Sequence, residues 1–264
     1  MGQKEITLMI DSGVGGLSVL ALARKKLPRE NFCFYADAAN APYGDKQPDE
    51  IRNILKKIIG LHSDRKIKTI LLACNTATSA AAAVLREEMT IPVIGMEPAL
   101  KPAVLSSSGQ VIVLATRLTI REKKFNDLLK QYESGRDIVP IPCPGLMEIV
   151  ERDPAGQEAK DYLQKLLLPY EKTMEAIVLG CTHYVFLRPL IQELFPELNI
   201  FDGNDGVTRH LGNILEQSGA SGGEGSLEIE CSIQNAEEKK AYLDKCRDML
   251  LFCDRIYDGH PLSG

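Results

Sequence analysis

Short apolar runs alternating with helical patterns constrain this chain more than anything else in it. EITLMI (5–10), NFCFYA (31–36), KTILLA (68–73) and IPVIGM (91–96) are nearly continuous in their apolar character. Strands apolar on both faces must be covered on both faces, as in a parallel sheet. Helical stretches fill the intervals: SVLALARKKL (18–27), DEIRNILKKIIGLH (49–62) and TATSAAAAVLREEM (76–89). In the second of these, Ile51, Ile54, Leu55, Ile58 and Ile59 share one helical face. The series predicts an α/β fold with a mostly parallel sheet.

The alternation resumes near residue 99. QVIVLAT (110–116), DIVPIPCP (137–144), EAIVLGC (175–181) and NIFDG (199–203) read as strands. REKKFNDLLKQY (121–132), LMEIVE (146–151), GQEAKDYLQKLLLPY (156–170) and FLRPLIQELF (186–195) read as helices, the last with Pro189 near its first turn. SGASGGEG (218–225) predicts an exposed loop and LEIECSI (227–233) a late strand. NAEEKKAYLDKCRDMLLF (235–252) predicts a final helix, with Asn235 and Glu238 in capping-box spacing.

Two stretches echo each other. TILLACNT (69–76) and EAIVLGCT (175–182) are each an apolar strand, a small residue, a cysteine and a threonine close behind. A weaker echo links ITLMIDSG (6–13) to QVIVLATR (110–117), so two similar α/β halves are expected. Each half then presents one cysteine at the carboxyl end of a strand, where open α/β sheets bind ligands. A thiol there faces the positive end of the following helix, which favours thiolate. Two thiols on opposite sides of a carbon suit inversion of a stereocentre: one removes a proton, the other donates one to the far face. Cys181 with His183 alone would also suit a cysteine hydrolase, a reading that leaves Cys74 idle.

Other residues gather at the same strand ends. IDSGVGGLSVL (10–20) places Asp11, Ser12 and three glycines before a helix. It is neither a phosphate-binding P-loop nor a dinucleotide fingerprint, and a small carboxylate suits its free N–H groups. PYG (42–44) reads as a turn after DAAN (37–40). Asn75, Thr76, Thr182, Thr116 and Thr119 are each ordinary capping residues taken singly; their clustering raises a ligand-holding role.

Composition excludes several classes. A net charge of -5 with no basic block gives no nucleic-acid footprint. No run reaches 18 apolar residues, so no membrane span is expected, and MGQKEITLMI has too short an apolar run for a signal peptide. The seven cysteines (33, 74, 143, 181, 231, 246 and 253) are odd in number, scattered and lack a CxxC pair. That predicts a reducing, cytoplasmic setting and no metal site.

DSGVGGLSVL (11–20), D-x-A-x-x-PYG (37–44), ACNTATS (73–79) and GCTHY (180–184) together resemble the cofactor-independent aspartate/glutamate racemase superfamily, and within it the glutamate racemases. The resemblance spans roughly residues 6–210 and the last helix. It implies two pseudo-symmetric three-layer α/β domains, residues 1–98 with 209–264 and residues 99–208, with the active site in the cleft between them. It implies Cys74 and Cys181 as the acid/base pair, Asp11 and His183 as residues that assist them, and Glu151 as a further acidic catalytic-site residue near them. It assigns Ser12, Asn75, Thr76 and Thr182 to the substrate's amino and carboxylate groups. Pro42, Tyr43 and Gly44 fall near its side-chain carboxylate, and Thr116 and Thr119 supply second-domain polar contacts. No cofactor and no metal are implied. The expected substrate is glutamate, and D-glutamate for peptidoglycan synthesis is the expected product. A homodimer is the common assembly of such proteins. Ala38, Gly145, Glu148 and Gly203 depart from the family pattern and are candidates for altered substrate or subunit contacts. Aspartate or another acidic amino acid is the alternative substrate; a non-catalytic amino-acid-binding protein is the alternative class.

Overall fold

A computed structural model describes residues 4–132, 137–220 and 222–258, apart from the side chain of Lys124. The first three residues of the chain, and Ser221 within the expected Gly/Ser loop, lie outside the described residues. In chain order the first elements are β1 (Glu5–Asp11), α1 (Leu17–Lys26), β2 (Phe32–Ala36), α2 (Pro48–Leu61), β3 (Lys66–Leu72), α3 (Asn75–Glu88) and β4 (Val93–Gly95). The middle of the chain forms α4 (Leu100–Ser106), β5 (Gln110–Ala115), α5 (Arg117–Arg121), α6 (Lys123–Tyr132), β6 (Ile138–Pro142), α7 (Leu146–Arg152) and α8 (Gln157–Leu167). It continues through β7 (Met174–Leu179), a 3-10 segment (Thr182–Leu187), α9 (Arg188–Leu194) and β8 (Asn199–Asp202). The chain ends in α10 (Asn204–Gln217), β9 (Leu227–Cys231) and α11 (Ala236–Asp258).

These strands form two fully parallel sheets, β4-β3-β1-β2-β9 and β6-β5-β7-β8. Reading β5, β6, β7 and β8 as counterparts of β1, β2, β3 and β4 makes the orders identical, except that β9 extends the first sheet. The irregularities match as well. The β1–β3 register shifts between Ile6 and Thr7, and the β5–β7 register shifts between Gln110 and Val111. Ala73 N–H donates to Ile10 O at 2.8 Å, and Gly180 N–H donates to Leu114 O at 2.7 Å. One residue later come Cys74 and Cys181. The echo in the sequence is an echo in hydrogen bonding.

Alternation along each strand decides which layer a side chain enters. Leu8, Ile10, Cys33 and Tyr35 pack under α2 and α3 on the outer face of the first sheet. Val111, Val113, Ala176 and Val178 pack under α4 and α6 on the outer face of the second. The opposite faces, through Met9, Phe34, Ile112 and Leu114, join α1 and α7–α11 in one continuous apolar core. The two sheets are therefore buttressed by a common helical layer.

Three helices were not legible as such. α4 carries Pro102 in its first turn, and α5 is only five residues long. Gly206 and Gly212 interrupt α10, yet Val207, Leu211 and Leu215 still give it a buried stripe. α10 packs on α1 and β4. A domain crossing at 208–209 would thus fall inside a helix, whereas the crossing at 98–99 falls in the loop before α4. Asn235 caps α11, accepting from the N–H groups of Glu237 and Glu238 at 3.0 and 3.1 Å.

Candidate active site

Both cysteines sit where a strand hands over to a helical turn. Cys74 is the N-cap of α3, with extended backbone, and Ala77 N–H donates to its Sγ at 3.4 Å. Cys181 holds the same place before the 3-10 segment, where Tyr184 N–H donates to its carbonyl at 3.0 Å. Each thiol is 7% exposed, and the two border one enclosed space of about 10 Å³. Ser12, Tyr43, Gly44, Asn75, Thr76, Thr116, Thr182 and His183 line it with them. That volume is at the lower limit for one water molecule. An amino acid enters only when the walls part.

The sequence-predicted residues divide by position. Thr76 and Thr116 hydroxyls meet at 3.3 Å across the two halves of the chain, and Thr116 meets Thr119 at 2.9 Å. Thr119 therefore acts behind Thr116 rather than on the wall. Tyr43 is held by its hydroxyl, which donates to Asp37 Oδ2 at 2.6 Å. Pro42 lies behind it, joined to Ala41 by a cis peptide bond. Asn75 Oδ1 is buried without a hydrogen-bond partner. Asp11 and Glu151 form a rear layer. Asp11 accepts from Gly13 N–H at 2.8 Å and from the Thr182 hydroxyl at 3.3 Å. Glu151 Oε1 lies 3.1 Å from His183 Nε2, and His183 Nδ1 lies 3.9 Å from Cys181 Sγ.

Electrostatics make the two thiols unlike. Burial, followed by the Asp11 charge, pushes the Cys74 thiol up to about 12, although the Ala77 N–H acts in the other direction. The helix start therefore does not deliver the thiolate expected at Cys74: removal from water outweighs it. Burial also raises Asp11 to about 6 against the opposing pull of His183. Burial opposes the His183 imidazolium, but Cys181, Glu151 and Asp11 outweigh it and hold the ring well above its ordinary value. Glu151 goes the other way. Despite burial, the hydrogen bonds and charges of His183 and Lys245 bring its carboxyl down to about 2. Cys181 thus faces an imidazole held toward its protonated form, and Cys74 lies in the field of the Asp11 carboxyl.

The four departures do not line this space. Gly145 is the N-cap of α7 at φ 77°, a left-handed conformation that favours glycine. A Cβ on Gly203 would stand 2.4 Å from Glu97 O, so a side chain there meets backbone. Glu148 is exposed in the first turn of α7, and Ala38 lies in a short 3-10 turn (Ala38–Asn40).

Among the described residues, one cluster brings metal-ligating atoms within 4.8 Å of one another: Cys33, His62 and Glu230. It lies away from the two thiols, and a cation already occupies it. The Arg65 guanidinium donates to Cys33 Sγ at 3.3 Å and pairs with Glu230 at 2.9 Å and Glu228 at 2.8 Å. The cluster reads as an ion-pair network that ties β9 to the end of α2.

The chain as a whole has counterparts among known proteins. A model of the Asp/Glu/Hydantoin racemase family matches residues 19–211. The chain belongs to the Asp/Glu/Hydantoin racemase family. A Clostridium perfringens glutamate racemase is 45% identical to this family member over 238 residues, covering 87% of this chain and 90% of that one. A Bifidobacterium adolescentis glutamate racemase is 42% identical over 253 residues, covering 90% and 97%. Escherichia coli glutamate racemase, solved in complex with L-glutamate and the activator UDP-MurNAc-Ala, aligns with a TM-score of 0.80 at 26% identity. That alignment covers 92% of this family member and 95% of the other chain.

Sequence reasoning missed Met147 and Gly180 on the wall, and Lys245 behind it. Met147 was within reach: it precedes Glu151 by four residues, so both share one face of α7. Lys245 gave no signal, because a lysine on an amphipathic helix reads as solvated surface.

Proposed function

We propose that this family member interconverts L-glutamate and D-glutamate by two-base proton transfer, with Cys74 and Cys181 on opposite faces of the α-carbon. The observation that carries the reading is the matched pair of thiols, one after β3 and one after β7, bordering a single enclosed space. In one direction the Cys181 thiolate takes the α-proton and becomes a thiol. The Cys74 thiol gives its proton to the opposite face and becomes a thiolate. Atoms and charge balance, and the enzyme is left in the state that serves the other enantiomer. His183 stabilises the Cys181 thiolate, and Glu151 orients His183. The neutral Cys74 thiol is what the first half-reaction requires of a proton donor.

The α-proton is weakly acidic, so the pocket must stabilise charge developing on the carboxylate. Asn75, Thr76 and Thr182, at the amino ends of α3 and the 3-10 segment, supply hydroxyl, amide and backbone donors for this. Ser12 joins them from the glycine loop. Tyr43 and Gly44, positioned by Pro42, and Thr116, backed by Thr119, are assigned to the far end of the substrate. Near-complete burial strengthens each of these bonds. No cofactor enters this scheme.

We divide the chain into residues 1–98 with the C-terminal segment, and a middle unit from residue 99. Because α10 runs unbroken from Asn204, we set the return crossing before it, at Gly203, in place of 208–209. Among the described residues no helix is long and apolar enough to cross a membrane, in keeping with a cytoplasmic enzyme that supplies D-glutamate for peptidoglycan. A homodimer is the expected assembly, checked by light scattering. The deciding test supplies each enantiomer of glutamate and aspartate separately in deuterated water. Rapid α-proton exchange and inversion of glutamate, with little of aspartate, is the expected result. Inversion of neither amino acid refutes the assignment; preferential inversion of aspartate moves it to the alternative substrate.

A further inference from the structure

The long last helix reaches the back of the site at one residue. Lys245 Nζ donates to Glu151 Oε2 at 2.9 Å, while Glu151 Oε1 faces His183 Nε2 at 3.1 Å. The carboxylate is thus held from both sides, by groups from α11 and from the 3-10 segment. Neither partner is freely solvated: the side chains of Lys245 and Glu151 are 33% and 26% exposed. Tyr242, one turn earlier on α11, places its ring 5.8 Å from Lys245 Nζ and its hydroxyl beside Gly13. The same helix therefore walls the glycine loop and anchors the carboxylate.

We infer that Lys245 is a positioning residue of the reaction, fixing the Glu151 carboxylate so that His183 presents Nδ1 to Cys181. This inference rests on the two-base reading. A carboxylate with one oxygen unpaired can rotate toward solvent, and the imidazole then loses the acceptor that fixes its ring. Lys245 adds a second hold on the carboxylate. The order Lys245, Glu151, His183, Cys181 sets a lysine, a carboxylate, an imidazole and a thiol in one line of contacts. The ionisable groups facing Glu151 are His183, Lys245, Asp11, Tyr242 and Cys246; those facing His183 are Cys181, Glu151 and Asp11. Lys245 is the only lysine or arginine among these described groups. Among the described residues no comparable cation backs Cys74, which faces Asp11, so the support is one-sided.

That one-sidedness gives a test a merely structural role would not pass. Enantiomers have equal free energy in water, so kcat/KM must fall equally in both directions for any variant. The difference appears in the isotope effects. In Lys245→Met, abstraction by Cys181 becomes the slow step. The primary deuterium effect should rise with the α-deuterated enantiomer that Cys181 deprotonates and fall with the other. The pH limb that reports His183 should move down by about one unit as the released Glu151 carboxylate swings away from the imidazolium it stabilises; loss of the Lys245 charge with Glu151 still in place would move it up and would count against the inference. Lys245→Arg should restore both readouts. Lys25→Met is the control: Lys25 holds the far end of α11 through Asp258 and the Tyr257 carbonyl, and touches none of the site. It should leave the pH profile unchanged. Lys245→Gln substitutes if the methionine variant does not fold. A folded Lys245 variant with the parental pH profile and symmetric isotope effects overturns the inference. Failure of the parent protein to invert glutamate would instead overturn the racemase reading.

Discussion

Adding one methyl group at Gly15 should cost about two orders of magnitude in turnover. A Cβ built there stands 2.3 Å from His183 Nδ1, 2.8 Å from Cε1 and 2.7 Å from Thr182 Oγ1. Ordinary contact begins near 3.4 Å, so the ring or the loop must give by about 1 Å. Neither yields easily. His183 is 2% exposed, its ring is rigid, and Glu151 fixes Nε2. Nδ1 is the atom that faces Cys181, and a misplacement of about 1 Å in a catalytic frame costs about 10²-fold. The same crowding should lower stability by about 1–3 kcal/mol, the usual range for overpacking. Glutamate inversion followed by circular dichroism gives kcat from each enantiomer, and a urea titration separates lost activity from lost fold. A folded Gly15→Ala protein with kcat within about threefold of the parent would refute the rigid His183 frame.

Three more outcomes follow from the geometry. Cys74→Ser and Cys181→Ser should each lower turnover by about 10²–10⁴-fold, the usual worth of a positioned acid or base; exchange of the α-proton into deuterated water should fail for opposite enantiomers, and equal mild losses would argue against one base per face. Burial pushes the Asp11 carboxyl up to about 6 from an ordinary 3.8, so the folded state binds more protons between those values and its stability falls as pH rises through them. Relative to Asp11→Asn, the parent should lose about 2–3 kcal/mol between pH 4 and 7 in urea titrations; a flat difference would show that the carboxyl is not buried as described. Finally, a space of about 10 Å³ is too small for glutamate, so the walls must stand further apart around bound substrate, and X-ray scattering should show a particle no more compact with glutamate than without it; compaction on binding would refute the closed resting state.

The strands were legible because burial on both faces leaves apolar runs such as EITLMI and EAIVLGC, which no other common element explains. The pairing of Cys74 with Cys181 was legible because the two halves repeat a strand ending, and the structure adds the shared register shift that the sequence could only suggest. What escaped had a physical reason in each case. α10 was hidden by two glycines, which weaken the periodic signal while its buried face persists. The state of Cys74 was misjudged because a helix start is visible in sequence and complete burial beside a carboxylate is not. Lys245 lies 94 residues from Glu151 in the chain, and nothing local marks a surface-type lysine that ends against a part-buried carboxylate behind His183.

The repeated sheet order also bears on chirality. Mirror-image substrates would be treated alike by a site with a mirror plane, but a chain of L-residues cannot possess one. Rotation is the operation left to it. Under the proposed reaction, duplicated halves put equivalent strand ends on the two faces of a carbon, and so approximate by rotation what reflection forbids. The approximation fails at the side chains, where one half offers Asp11 and the other His183. On the two-base reading, the two enantiomers are handled by different chemistry on one scaffold, and inhibitors that capture one half-reaction can be selective for a single hand of the substrate.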